Sequence, residues 1–140
     1  MSSGIKPSAK CEATYKEMKM NHCYRYVLFQ IIDNEISVIK IAPRDETMSQ
    51  FKDEVSKYQN KGCYGVVDYE CEGGKGANLI YFSLVSDSAP PTARMLYATT
   101  RKSLSSCLDG LKADIEAHDI NELMEKLETS AAADKNHSKH

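Results

Sequence analysis

Apolar and polar positions follow two rhythms along this chain, and the switches between them mark out its elements. Over residues 8–20, Cys11, Tyr15 and Met18 recur at helical steps of four and three, with Ser8 placed as an N-cap, predicting a short amphipathic first helix. Tyr24 to Ile32 is a run rich in aromatic and β-branched residues, followed by Asp33-Asn34 and a second run, Glu35 to Ile41. Two residues of turn chemistry between two such runs predict a β-hairpin. In the second run Ile36, Val38 and Lys40 fall on one face and Ile39 and Ile41 on the other, so helices are expected on both sides of the sheet.

The same reading carries on to the carboxyl end. Thr47 is placed as the N-cap of a second helix in which Met48, Phe51, Val55 and Tyr58 recur every three or four residues, ending before Gly62. Cys63 to Cys71 and Asn78 to Val85 predict two more strands, joined by the glycine-rich link from Glu72 to Ala77. That Gly-Gly-Lys-Gly run lacks phosphate-loop spacing and lies between strands, so it is read as a turn. Prolines at 90 and 91 suit the first turn of a long helix over Pro91 to Leu108, and Gly110 suits its end. On that helix Leu96, Thr100, Leu104, Cys107 and Leu108 are expected to face inward, whereas Arg94, Ala98, Arg101 and Ser105 form an exposed basic stripe. Leu111 to Ala117 predicts a final strand, and Asp119 caps a last helix whose buried stripe is Ile120, Leu123, Met124 and Leu127. From Thr129 onward the small, polar composition predicts a disordered tail.

Length and charge narrow what such a fold can do. A chain of 140 residues that is 41% hydrophobic builds one core, which excludes a multidomain machine. With 18 Lys+Arg against 20 Asp+Glu, net charge gives no drive toward nucleic acid or an anionic membrane. No apolar run approaches the roughly 20 residues that span a bilayer. The amino end has no apolar stretch of the secretory kind, and Gly4 sits too deep for acylation, so a cytoplasmic protein is expected.

The five cysteines, Cys11, Cys23, Cys63, Cys71 and Cys107, are odd in number and irregularly spaced, which favours free thiols over a disulfide framework. None forms a C-x-x-C pair, and His22 beside Cys23 would point to the opposite face of a strand, so no metal or cofactor is expected. A thiol-dependent enzyme using Cys23 or Cys63 with His22 or His118 is a competing class. It lacks a sequence arrangement that fixes a base, an orienting carboxylate and an oxyanion site.

Three stretches carry a resemblance: the opening Met1-Ser2-Ser3-Gly4-Ile5, the segment Tyr64-Gly65-Val66-Val67-Asp68-Tyr69-Glu70, and Ser86-Asp87-Ser88-Ala89-Pro90 leading into Arg94-Met95-Leu96-Tyr97-Ala98-Thr99-Thr100-Arg101-Lys102. Together they resemble the actin-depolymerising factor/cofilin family, whose pattern is an Asp-x-Ala-Pro loop, a basic residue and Met-x-Tyr-Ala-Ser-Ser-Lys. Threonines replace both serines here, and arginine replaces the lysine. The resemblance implies an α+β fold: a single domain over residues 1–128, gelsolin-like, with a mixed sheet of about five strands sandwiched between helices, and a tail over 129–140. It implies a monomeric, non-enzymatic protein that binds actin monomers, favouring the ADP form, and filaments.

Carried over residue by residue, the monomer contacts fall on Ser3, Gly4, Ile5, Arg94, Met95 and Arg101. Ser3 also matches the family's regulatory phosphorylation site, where about two added negative charges would oppose an acidic partner. Read without the resemblance, an exposed arginine pair is an ordinary solvated face, Met95 a boundary core residue and Ser3 an unexceptional serine. The filament contact departs from the family. Its hairpin positions read Lys75, Gly76 and Asn78, and on the last helix Glu122, Glu125 and Glu128 outnumber Lys126. Filament decoration is therefore expected to be weakened relative to monomer binding and disassembly. Thr92, Ser105 and Ser106 replace basic residues that serve phosphoinositide inhibition in the family, leaving Arg94, Arg101 and Lys102 for a weak version. His118, at the start of the last helix, is a candidate for the family's pH response. The glia maturation factor branch, which binds the Arp2/3 complex, is the rival within the fold. It lacks both the basic residue before Met-x-Tyr and the Ser-Gly-Ile opening.

Overall fold

A computed structural model of the chain describes residues 4–69 and 79–137. Six strands and four helices follow one another as β1 (Lys6–Pro7), α1 (Ala9–Asn21), β2 (Tyr24–Ile32), β3 (Glu35–Pro43), α2 (Met48–Ser56), β4 (Cys63–Asp68), β5 (Leu79–Leu84), α3 (Pro91–Ser105), β6 (Ala113–Ala117) and α4 (Ile120–His137). The strands form one mixed sheet in the order β1-β3-β2-β4-β5-β6. Its four central strands pair antiparallel, whereas β1 and β6 join the two edges in parallel. The fold class is the expected α+β sandwich, with one strand more than about five.

The extra strand corrects the reading of the amino end. Lys6 and Pro7 pair with Glu35 and Ile36 of β3, and Ile5, 5% exposed, is buried with Cys11, Tyr15 and Tyr97. Burying Ile5, the residue just before this edge strand, removes its apolar side chain from water and favours the pairing. Gly4 just before it is exposed, with φ +82°, and a side chain there would meet open space.

The β2–β3 hairpin turns on Asp33 and Asn34, with φ of 51° and 63°. Positive φ at both central residues is the turn whose twist matches the paired strands. One sequence assignment is overturned in β3. The pairing passes from Leu28↔Lys40 to Phe29↔Val38, so an extra residue interrupts the alternation. Val38 and Ile41 consequently share the face covered by α1 and α3, while Ile39 turns to the face covered by α2 and α4.

Two cores result, one on each face. Cys11, Tyr15 and Met18 of α1 and Tyr97 and Leu104 of α3 cover Val27, Phe29, Tyr64, Val66 and Tyr81. Phe51 and Val55 of α2 and Leu123 and Leu127 of α4 cover the opposite side chains. Phe51 stands edge-on to Tyr26 and Phe82, with centroids 5.0 and 5.7 Å away. Gly65 makes room for Phe82, because a Cβ there would lie 2.3 Å from the Phe82 ring.

Helix ends follow the predicted signals in part. Thr47 forms a capping box with Gln50, its hydroxyl accepting the Gln50 N–H at 3.1 Å while the Gln50 amide oxygen accepts the Thr47 N–H at 2.8 Å. Ser8 precedes α1 without a side-chain cap. Asp119 accepts the Glu122 N–H at 2.8 Å. α3 stops at Ser105, earlier than Leu108, and a turn closed by Cys107 and Leu108 amides follows it. Of the expected tail from Thr129, the described residues continue α4, which runs to His137, and residues 138–140 lie outside the described residues. Three alanines favour helix there, and Ala131 is buried with its carbonyl accepting a hydrogen bond from Lys112 Nζ at 3.1 Å.

Candidate partner-binding surface

The outward face of α3 is set by its attachments to the sheet. Tyr64 of β4 and Tyr81 of β5 stack with ring centroids 6.0 Å apart. Tyr64 donates its hydroxyl to the Tyr97 carbonyl at 2.5 Å, and Tyr81 donates to the Arg101 carbonyl at 2.9 Å. Those carbonyls lie one helical turn apart, so the two phenols fix the helix against both sliding and rolling. Burial pushes both hydroxyls far above the ordinary tyrosine range, which keeps them protonated donors. A third tie runs from the Ile31 N–H to the Tyr97 hydroxyl oxygen at 3.0 Å. Beneath that ring is Gly62, whose φ of +96° disfavours a side chain and where an added Cβ would lie only 3.0 Å from the ring.

Of the expected inward stripe Thr100, Leu104 and Leu108 are buried, but the ties turn Tyr97 inward ahead of Leu96. Tyr97, Thr100 and Leu104 are the buried residues, and Leu96 is half-buried. Arg94, Met95, Ala98 and Thr99 are exposed. Met95 is 69% exposed, so periodicity alone would have been misleading in making it a boundary core residue. Arg94 Nε donates to the Ala89 carbonyl at 3.2 Å, bracing the side chain against the Asp-Ser-Ala-Pro loop. No ion pair neutralises Arg94 among the described residues. A pocket of about 200 Å³ opens beside it, bounded by Arg94, Tyr97, Ala98, Glu116 and His118.

Arg101 does not share that exposed stripe, which corrects its assignment as a free basic group. Its side chain is 24% exposed and ion-paired with Asp114, and its other terminal nitrogen lies 3.9 Å from Glu116. Turning Tyr97 inward draws the residue one turn later toward the sheet, where β6 supplies the carboxylates. Sequence reasoning missed those partners. Period-two alternation does place Asp114 and Glu116 on one face of β6, but only the parallel β5–β6 register, Tyr81 opposite Asp114, sets that face under Arg101.

β1 lies against α3, so the chain emerging at Gly4 and the exposed face of α3 belong to neighbouring elements. A loop of matching motif, an uncompensated arginine beside an exposed methionine and an amino segment alongside them lie on one scaffold. A family model for cofilin/tropomyosin-type actin-binding proteins matches residues 4–130. The chain belongs to the actin-depolymerising factor/cofilin family. Actophorin of Acanthamoeba castellanii is 30% identical over 128 residues, covering 88% of this chain and 91% of that protein. Cofilin of Schizosaccharomyces pombe is 28% identical over 124 residues, covering 86% and 89%. The crystal structure of Streptomyces griseoflavus cofilin superimposes with a TM-score of 0.76 at 27% identity, over 86% of this chain and 92% of that one.

Other positions expected from the actin-depolymerising factor/cofilin pattern are distributed as follows. Ser3, Lys75, Gly76 and Asn78 lie outside the described residues. On α4, Glu125 is exposed, and Lys126 is internally engaged, donating to the Glu116 carbonyl at 2.9 Å and pairing with Glu122 at 3.1 Å. His118 donates its backbone N–H to Glu122 at 2.7 Å.

Cys71 lies outside the described residues, and the two cysteines of the thiol-enzyme reading, Cys23 and Cys63, are placed unfavourably for nucleophilic chemistry. Cys63 is fully buried and desolvation pushes its thiol up to about 12, against the thiolate that a nucleophile needs. Cys23 is half-buried, and His22 beside it is the left-handed C-cap of α1 with φ 51°, not a strand residue. Among the described residues no group of three or more His, Cys, Asp or Glu side chains is placed to hold a metal, and no helix is long and apolar enough to cross a membrane.

Proposed function

We propose that this chain binds actin monomers, preferring the ADP form, and promotes filament disassembly and turnover in the cytoplasm, acting as a monomer and without catalysis. The observation that carries this reading is the pairing of an exposed, uncompensated Arg94 with a 69% exposed Met95 on a helix held rigidly by the sheet. Arginine offers a planar fork of donors to carboxylates, and methionine a flexible apolar contact to a groove. Family membership supplies the partner that such a surface would meet. Gly4 and Ser3 would line the same contact. Ile5 would serve by anchoring that segment, since its side chain is buried. Phosphorylation at Ser3 would oppose docking through added negative charge.

Filament side binding and stable decoration are weakened in this proposal. Lys126 is occupied by Glu122 and by the Glu116 carbonyl, and Glu125 and Glu128 are exposed on the same helix. An acidic filament surface would find little positive charge there. Phosphoinositide binding would likewise be weak, because Arg101 is already paired. Co-sedimentation with filaments at several salt concentrations, alongside titration of labelled monomers, tests the whole reading. Monomer binding with weak, salt-sensitive pelleting supports it. Tight stoichiometric pelleting with little affinity for monomer contradicts it.

A further inference from the structure

The pairing of Arg101 has a consequence for how the α3 surface engages its partner. Tyr81 and Asp114 are register partners on β5 and β6, as are Ser83 and Glu116. All four side chains therefore rise on the face that α3 covers, while Ile115 and Ala117 go to the opposite core. Tyr81 holds the Arg101 carbonyl at 2.9 Å, so the base of the arginine is fixed directly over Asp114. One terminal nitrogen, Nη2, donates to Asp114, and Nη1 lies 3.9 Å from Glu116. Nε is buried and has no acceptor among the described residues. The donors left to a visitor are thus on the terminal nitrogens, and those already face carboxylates.

The two carboxylates are about half exposed, 48% for Asp114 and 52% for Glu116, so solvent screens the pairing and keeps it exchangeable. At this end of α3 one guanidinium faces two carboxylates, whereas Arg94 has no ion-pair partner among the described residues.

We propose that Asp114, supported by Glu116, is an internal competitor for Arg101: it occupies the guanidinium in the free protein, and a partner carboxylate must exchange with it for the far half of the α3 surface to engage. The proposal rests on the actin-binding reading given above and names a residue that tunes that same site. Asp114 acts through Arg101 and touches no partner group itself. It lowers affinity by an amount set by a screened, exposed ion pair, which corresponds to about two- to fivefold.

The test is a titration of labelled ADP-actin monomers with wild type, Asp114→Asn, Arg101→Ala, the double variant Arg101→Ala/Asp114→Asn, and Arg94→Ala. A single cooperative unfolding transition confirms that each is folded, with Asp114→Asn and Arg101→Ala expected to lower the midpoint slightly because each breaks the pair. Asp114→Asn is expected to tighten binding about two- to fivefold, and the gain should be much smaller when Arg101 is absent. Glu116→Gln, removing the more distant carboxylate, should give a lesser gain. Weaker or unchanged binding by Asp114→Asn overturns the proposal. So does an equal gain with and without Arg101, since that would be general charge repulsion. If Arg94→Ala weakens binding while Asp114→Asn changes nothing, only this inference fails. If wild type does not bind the monomer, the actin-binding reading fails and takes the inference with it.

Discussion

Tyr64 and Tyr81, stacked on adjacent strands with centroids 6.0 Å apart, donate their hydroxyls to helix carbonyls four residues apart, those of Tyr97 and Arg101. Removing one of these donors leaves a carbonyl that still has its intrahelical partner, so the loss falls at the modest end for a buried hydrogen bond. Tyr81→Phe is expected to destabilise the fold by about 1 kcal/mol, read as a shift in urea midpoint at constant slope. The double variant with Tyr64→Phe should cost at least the sum of the singles and should also weaken monomer binding, because the helix loses both restraints. Full stability in the double variant would show that the phenols do not fix α3.

Thr47→Ala removes the side-chain half of the capping box that starts α2. The helix buries Phe51 and Val55 against the sheet, so fraying its first turn is felt in the core. A loss of about 0.5–2 kcal/mol is expected, and Thr47→Ser should restore most of it. Monomer affinity should not change, since α2 lies on the opposite face of the sheet from α3.

Acid weakens the start of α4 through Glu122. The His118 backbone N–H holds its carboxyl below the ordinary 4.5, and Lys126 adds to the effect. A carboxyl lowered in the folded state contributes stability that is complete above its unfolded value and is lost as pH falls through the folded one. The wild type should therefore lose stability more steeply than Glu122→Gln on acidification below about pH 4.5. Parallel curves would contradict this. At the alkaline end the sign reverses: burial raises the Tyr15 hydroxyl from 10.0 to about 12, so its contribution is present below the first value and fades through the second. Tyrosinate absorbance followed against unfolding in that window checks the assignment.

Most of the architecture was legible because periodicity reports which side of an element is buried. The β2–β3 hairpin, the Thr47 cap and the Asp119 cap stand where their residues predict. What escaped was non-local. The extra residue in β3 carries no local signature, so Ile39 and Ile41 were assigned one face when they have two. β1 is only two residues long and exists because Ile5 finds a pocket made by distant elements. At the site, the loop and the Arg94-Met95 pair were readable from sequence. The engagement of Arg101 was not, because it needs the inward turn of Tyr97 and the register of β6.

The central claim is that α3 docks on actin through Arg94, and titration of labelled ADP- and ATP-actin monomers with wild type and Arg94→Ala tests it most directly. Wild type should bind, with preference for the ADP form. Arg94→Ala should bind more weakly by about 1–2 kcal/mol or more, with at most a small change in denaturation midpoint, since the side chain is exposed and its one hydrogen bond is to the Ala89 carbonyl. Equal affinity of the two proteins for actin would contradict the account.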